Sequence, residues 1–297
     1  MSTLTWTGVM PAVTTPFRDD LTIDEPFFRK HMAWMAESGC TAIVIGGSLG
    51  EGATLTNAEK ELLCKAAIEA SGLPVVLGIS SLSTQDAVEQ AKMAERVGCQ
   101  GLMVLPPYVY KGDWRETKAH FAAVIQATGL SCMLYNNPIA YGTDTTPEQI
   151  AELAHEFPNL HAVKESSADV RRLAAIQALI GDRLKLAVGV DDVIVEGIAA
   201  GAVGWVAGLV NAFPVESVKL FNEASKGGYA AVKDLYSWFL PLLRLDVVPK
   251  FVQLIKLTQQ EVGMGTETVR APRFTIVGEE RERTLAVIKT ALAHKPA

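Results

Sequence analysis

Cysteine is scarce in this chain and never paired along it. Cys40, Cys64, Cys99 and Cys132 lie far apart, with no Cys-x-x-Cys unit and no histidine cluster beside them. Scattered thiols of this kind are expected as buried small hydrophobes in a reducing compartment, and they exclude a disulfide scaffold. The five histidines include no two at metal-ligand spacing, so no metal is expected. No apolar run approaches the roughly 18 residues of a membrane span, and no membrane partner is expected. Met1 to Pro11 has neither the basic start nor the apolar stretch of a secretory leader, which points to a cytoplasmic protein. Positive charge is also in short supply. Lys and Arg total 27 against 33 Asp and Glu, a net charge of −6, and no basic stripe stands out. A nucleic-acid partner is therefore not expected. An anionic small molecule stays admissible, because a local site need not follow net charge.

What is present suits a globular chain. The 297 residues are 49% hydrophobic and 20% charged, enough to bury a large core without metals or disulfides. Short β-rich apolar runs recur at Val9–Thr14, Thr41–Ile45, Val75–Ile79, Leu102–Leu105, Ser131–Tyr135, His161–Lys164, Leu184–Val188 and Ala202–Ala207. Between them apolar residues repeat at helical spacing, as in Phe28, Met32, Met35 and Ala36. Thr56 with Glu59 reads as a capping box, and Thr146-Pro147-Glu148-Gln149 combines a cap, a first-turn proline and an N3 glutamine. Eight strands alternating with helices imply parallel pairing through right-handed crossovers. The pattern predicts an α/β fold, a single (β/α)8 TIM barrel, with an open doubly wound sheet as the structural alternative. From Pro214 onward only helices are expected: Val218–Ala224, Tyr229–Arg244, Phe251–Val262 and Glu279–Ala293. This places the barrel in residues 1–225 and a C-terminal helical extension in 226–297.

In a parallel barrel the carboxyl ends of the strands build the site. The second strand runs into Gly46-Gly47-Ser48-Leu49-Gly50-Glu51-Gly52, where close backbone approach and exposed amides suit a carboxylate or phosphate. The same glycines also serve a plain strand-to-helix turn, and the run matches neither a P-loop nor a dinucleotide fingerprint. The fifth strand ends in Tyr135-Asn136-Asn137-Pro138, the sixth in Lys164-Glu165-Ser166-Ser167. Lys164 ends an apolar strand, so its ammonium is expected in the barrel mouth. Burial there disfavours the charged form, and a free amine can attack a ketone to give a Schiff base. The competing reading is an ion pair with a carboxylate such as Glu165. Tyr135 lies on the neighbouring strand, roughly 4.8 Å away, where a phenol can shuttle protons. Asp191 and Asp192 suit either a polar substrate tail or a helix cap, and Trp205 is large for a barrel interior.

Taken together, Gly-Gly-Ser-Leu-Gly-Glu, Tyr-Asn-Asn-Pro and Val-Lys-Glu-Ser-Ser resemble the dihydrodipicolinate synthase / N-acetylneuraminate lyase family. The resemblance extends to Thr14-Thr15-Pro16, Pro106-Pro107-Tyr108, Gly189-Val190-Asp191-Asp192 and Val269-Arg270-Ala271-Pro272. It implies a cofactor-free class I lyase in which Lys164 condenses with pyruvate or another 2-oxo acid and Tyr135 is the general acid/base. It implies that Ser48, with Gly47 and the Leu49 amide, binds the 2-oxo acid carboxylate. Leu49 stands where a relay threonine is expected, so the relay is broken or rerouted. Tyr108 matches a tyrosine lent across a subunit interface, and Val203 matches the residue whose carbonyl faces the imine. Ala140, beside Tyr141, stands where the lysine-pathway synthases resemble one another in carrying an arginine, which speaks against lysine biosynthesis. An aldolase or synthase is the first expectation. A dehydratase or deaminase of a hydroxylated 2-oxo or cyclic imino acid, such as pyrroline-4-hydroxy-2-carboxylate, is the alternative. A non-catalytic carboxylate-binding protein is the reading from a different class. The resemblance further implies a homotetramer built as a dimer of dimers.

Overall fold

The computed structural model describes residues 3–296. Met1, Ser2 and Ala297, the outermost residues of the expected leaderless start and of the two expected segments, lie outside them. Eight strands follow one another as β1 (Gly8–Pro11), β2 (Ile43–Ile45), β3 (Val75–Ile79), β4 (Gly101–Val104), β5 (Ser131–Asn136), β6 (Leu160–Glu165), β7 (Lys185–Val188) and β8 (Gly204–Ala207). All neighbours pair in parallel, in the order β1-β8-β7-β6-β5-β4-β3-β2. The two ends of that order meet: Ala12 bridges Val44, the Thr41 amide donates to the Val9 carbonyl at 2.9 Å, and the Val13 amide donates to the Val44 carbonyl at 3.0 Å. The sheet therefore closes into a barrel, and the open-sheet alternative falls.

The layer around it is α1 (Glu25–Glu37), α2 (Asn57–Ser71), α3 (Thr84–Val97), α4 (Trp114–Gln126), the single turn α5 (Pro138–Tyr141), α6 (Pro147–Glu156), α7 (Arg171–Ile180) and α8 (Ile194–Ala199). Both predicted caps form: Thr56 and Glu59 reciprocate at α2, and Thr146 and Gln149 at α6. α9 (Pro214–Leu243) is one long helix broken at Gly228, whose φ of 64° interrupts it close to the expected junction at 225/226. α10 (Phe251–Glu261) and α11 (Gly278–Ala293) complete the chain. This extension is not a separate layer. Val232, Phe239, Leu242, Ile255 and Ile288 are fully buried in the same hydrophobic core as the strands. No helix among the described residues is long and apolar enough to cross a membrane.

His31 shows how the extra turns are tied in. It is fully buried on α1, and its Nε2 faces the Asn211 carbonyl at 3.1 Å in the turn before α9. Burial holds its pKa down at about 4. The neutral ring is a structural pin, as expected for an isolated histidine.

Candidate active site

Tyr135 and Lys164 are direct register partners on β5 and β6. Both are nearly buried at the carboxyl ends of their strands, and the Lys164 ammonium sits over the Tyr135 ring, 4.1 Å from its centroid. The strand after them leaves room for the lysine. A Cβ at Gly189 would overlap Lys164 Cε and Ser166 Oγ, so the side chain lies flat across the end of β7.

The expected competitor for Lys164 is occupied elsewhere. Glu165 accepts from Arg172 Nε at 3.1 Å, from the Ser167 amide at 2.7 Å and from Asn136 Nδ2 at 3.1 Å. Alternation along β6 points it to the helix layer while Lys164 faces the mouth. Among the described residues no carboxylate reaches Lys164 within ion-pair distance. A nearly buried amine without a counter-ion costs folding energy, which makes Lys164 a candidate functional group.

Tyr141 joins the pair through α5. Asn137 caps that turn, accepting from the Ala140 amide at 3.0 Å, and its amide also donates to the Tyr135 hydroxyl at 2.9 Å. The turn swings the Tyr141 ring edge-on to Tyr135, centroids 5.7 Å apart, and hydrogen-bonds its hydroxyl to Ser48. Burial pushes the Tyr141 phenol well above its usual pKa, the neighbouring Tyr135 phenol adds to this, and the Ser48 hydrogen bond opposes it. Ser48 itself tops the glycine turn after β2. The Ser48 and Leu49 amides donate to no backbone carbonyl among the described residues. Gly47 supports this turn, and Leu49 is buried with no hydroxyl to offer.

Two expectations change on the structure, those for Val203 and Asp191. Tyr108 is half-buried against Tyr141, centroids 5.7 Å apart. The residues of that loop that point outward are Val109 and Tyr110. Val203 is not brought to the site. It precedes β8, it is 40% exposed, and its carbonyl accepts the Gly8 amide at 2.9 Å. Asp191 is no helix cap: it is fully buried and accepts from Trp205 Nε1 at 2.9 Å and from the Gly208 and Leu209 amides. Burial pushes its carboxyl up to about 6, against those donors and the Lys164 charge. The large Trp205 side chain is thus explained by its hold on Asp191. Ala140 is exposed on α5 and brings no charge to the rim.

The sequence reading quoted Asn137, Ser166 and Gly189 within motifs but gave them no role, and it did not single out Asp246. It also missed what Glu51 does. That carboxylate is fully buried, pairs with Lys256 Nζ of α10 at 2.8 Å and accepts the Arg270 amide at 3.0 Å. Lys256 also donates to the Thr15 carbonyl at 2.8 Å. The glycine turn is therefore propped from the C-terminal helices.

A (β/α)8 barrel with these groups at its mouth defines an aldolase-type lyase or dehydratase. The profile of the Dihydrodipicolinate synthetase family matches residues 5–291, and the chain belongs to that family. It is 28% identical over 287 residues to a 4-hydroxy-tetrahydrodipicolinate synthase of Methanothrix thermoacetophila, covering 96% of this chain and 97% of that protein. It is 32% identical over 273 residues to a probable 5-dehydro-4-deoxyglucarate dehydratase of Saccharopolyspora erythraea, covering 89% and 87%. Among solved structures, the chloride-inhibited dihydrodipicolinate synthase of Acinetobacter baumannii, complexed with pyruvate, superposes with a TM-score of 0.91. Its identity is 26%, covering 97% of this chain and 99% of that one.

Proposed function

We propose that this chain is a Schiff-base lyase or synthase acting on pyruvate or a related 2-oxo acid without a cofactor. The observation that carries the reading is Lys164, nearly buried, with no carboxylate partner among the described residues and with its ammonium over the Tyr135 ring. Its amine adds to the C2 carbonyl, and the carbinolamine loses water to give an iminium. Tyr135 delivers and removes the protons of that step, with Tyr141 and Ser48 extending the hydroxyl chain past the missing threonine hydroxyl at Leu49. The Ser48 hydroxyl and the Leu49 amide bind the substrate carboxylate. The iminium then acts as an electron sink for a carbanion at C3, and groups further out decide between addition, cleavage and elimination.

Dehydration or deamination is the second reading. Ala140 favours it, because an alanine cannot hold a second substrate carboxylate as a bidentate arginine would. The relative described as a probable 5-dehydro-4-deoxyglucarate dehydratase supports it too.

Borohydride trapping with pyruvate, followed by peptide mapping, tests the core of the proposal. A stable adduct on Lys164, absent in Lys164→Ala, is the expected result. No adduct with pyruvate or longer 2-oxo acids would leave a non-catalytic carboxylate-binding protein as the better account.

The four buried, unpaired thiols support a reducing cytoplasmic setting. A homotetramer is the proposed assembly, supported by the exposed apolar residues Val109, Tyr110 and Ile139 at the mouth. Light scattering is expected to give four times the subunit mass, and a mass near one subunit would reject it. A neighbour of the same fold is described as a monomeric dihydrodipicolinate synthase variant, so that outcome is a real one.

A further inference from the structure

Among the described residues, the side-chain oxygens buried without a hydrogen-bond partner include Ser166 Oγ after β6 and Asp246 Oδ1. Asp246 reaches the site from the turn that follows α9. That turn is fastened to the loop after β7. Tyr236 on α9 donates to the Asp192 carbonyl at 2.5 Å, and Arg244 lies 3.7 Å from the Asp192 carboxylate. The Asp246 carboxyl lies over Gly208, where any Cβ would strike it. Gly208 cannot satisfy it, because the Gly208 amide already donates to Asp191.

A buried polar atom left unpaired is destabilising, so one that persists beside a reactive amine points to a ligand group. Lys164 acts electrostatically on both Asp191 and Asp246, yet no ion pair within 4 Å joins it to either among the described residues. Lys164 and Asp246 therefore sense each other's charge while lying beyond ion-pair distance. Burial and the charge of Asp191 hold the Asp246 carboxyl well above the usual range, against the pull of Lys164. Two buried carboxyls on this wall, with Ala140 adding no positive charge, disfavour a substrate that places a second carboxylate there.

We propose that Asp246 is a catalytic acid that protonates a leaving hydroxyl at C4 of a 4-hydroxy-2-oxo acid bound as the Lys164 imine. The inference rests on the Schiff-base reading and chooses dehydration within it. The Lys164 iminium acidifies C3, whose proton leaves through Tyr135 to solvent. The resulting enamine expels the C4 oxygen as Asp246 supplies the proton. The C3–H and C4–O bonds break, a C3=C4 double bond forms and one water departs, with no oxidant or other co-reactant. Asp246 regains its proton from solvent.

The test compares the full-length protein with Asp246→Asn, using pyruvate and 4-hydroxy-2-oxo monocarboxylates of five and six carbons as probes. The pyruvate adduct on Lys164 is expected unchanged in the variant, which keeps the Schiff-base step separate. Dehydration of at least one hydroxylated probe is expected in the parent and to fall by about 100-fold or more in the variant. Its borohydride-trapped adduct should then be heavier than the parent's by one water. Equal dehydration by both proteins overturns the proposal, as does a parent that traps the hydroxylated probes but never dehydrates them. Loss of the pyruvate adduct in Asp246→Asn would show that the residue merely positions Lys164. Failure of the parent to trap any probe would instead refute the Schiff-base reading, and the proposal with it.

Discussion

At the residue scale, the proposed proton path runs past Leu49, which has no hydroxyl. Tyr141, from the turn after β5, hydrogen-bonds Ser48 and packs edge-on against Tyr135. Tyr141→Phe keeps the ring packing and removes only that hydroxyl. It is expected to slow imine formation with pyruvate by about 10²-fold, with the final adduct still on Lys164. Rapid quenching into borohydride reads that rate, and an unchanged rate would remove Tyr141 from the path. Lys164 and Tyr135 were legible in the sequence because each ends an apolar run, and adjacent runs in a parallel barrel are adjacent strands. Val203 was placed by resemblance alone. In the structure it precedes β8, which starts at Gly204, and its carbonyl accepts the Gly8 amide. Asp246 was illegible altogether, since only packing after α9 brings it across to β8.

At the scale of elements, the glycine turn after β2 depends on helices more than 200 residues away. Glu51 adopts a left-handed φ of 55°, which an acidic side chain rarely takes up without support. The support is the buried pair with Lys256, joined by the Arg270 amide. Burial lowers the Lys256 pKa, and the Glu51 carboxylate opposes that shift. Removing Glu51 strands the Lys256 charge in the interior, and removing Lys256 leaves Glu51 only the more distant Arg273, 3.9 Å away. Glu51→Gln or Lys256→Met alone is therefore expected to cost about 3–5 kcal/mol, and the double variant clearly less than the sum of the two. Urea denaturation of the four proteins measures the coupling, and strictly additive losses would refute it. The sequence showed Glu51 only as the end of a glycine-rich turn, because a partner this distant leaves no periodic trace.

At the scale of the whole molecule, the eight-unit alternation gave the barrel and its strand order, while the relation between barrel and extension had to come from the structure. The residues between Gly228 and Ala293 have the helical periodicity of an appendage, and that pattern is the same whether the apolar face meets a second domain, a neighbouring subunit or the barrel itself. Here it meets the barrel. Val232, Phe239, Leu242, Leu243, Ile255 and Leu257 are all fully buried in the common core. At roughly 1.5–3 kcal/mol for each buried side chain, these six alone approach the entire stability of about 5–15 kcal/mol expected of a folded domain. Lys256 and Asp246 leave with the same segment, so truncation also strips the prop from the glycine turn and the acid from the mouth. A chain ending at Gly227 is thus expected to show no cooperative thermal transition and to form no Lys164 adduct, whereas the full chain melts in one step by both near- and far-ultraviolet circular dichroism. A shortened chain that melted cooperatively and still trapped pyruvate would show that the barrel is complete without its extension. The shared core would then be an accessory to the fold, and the glycine turn would hold its shape without Lys256.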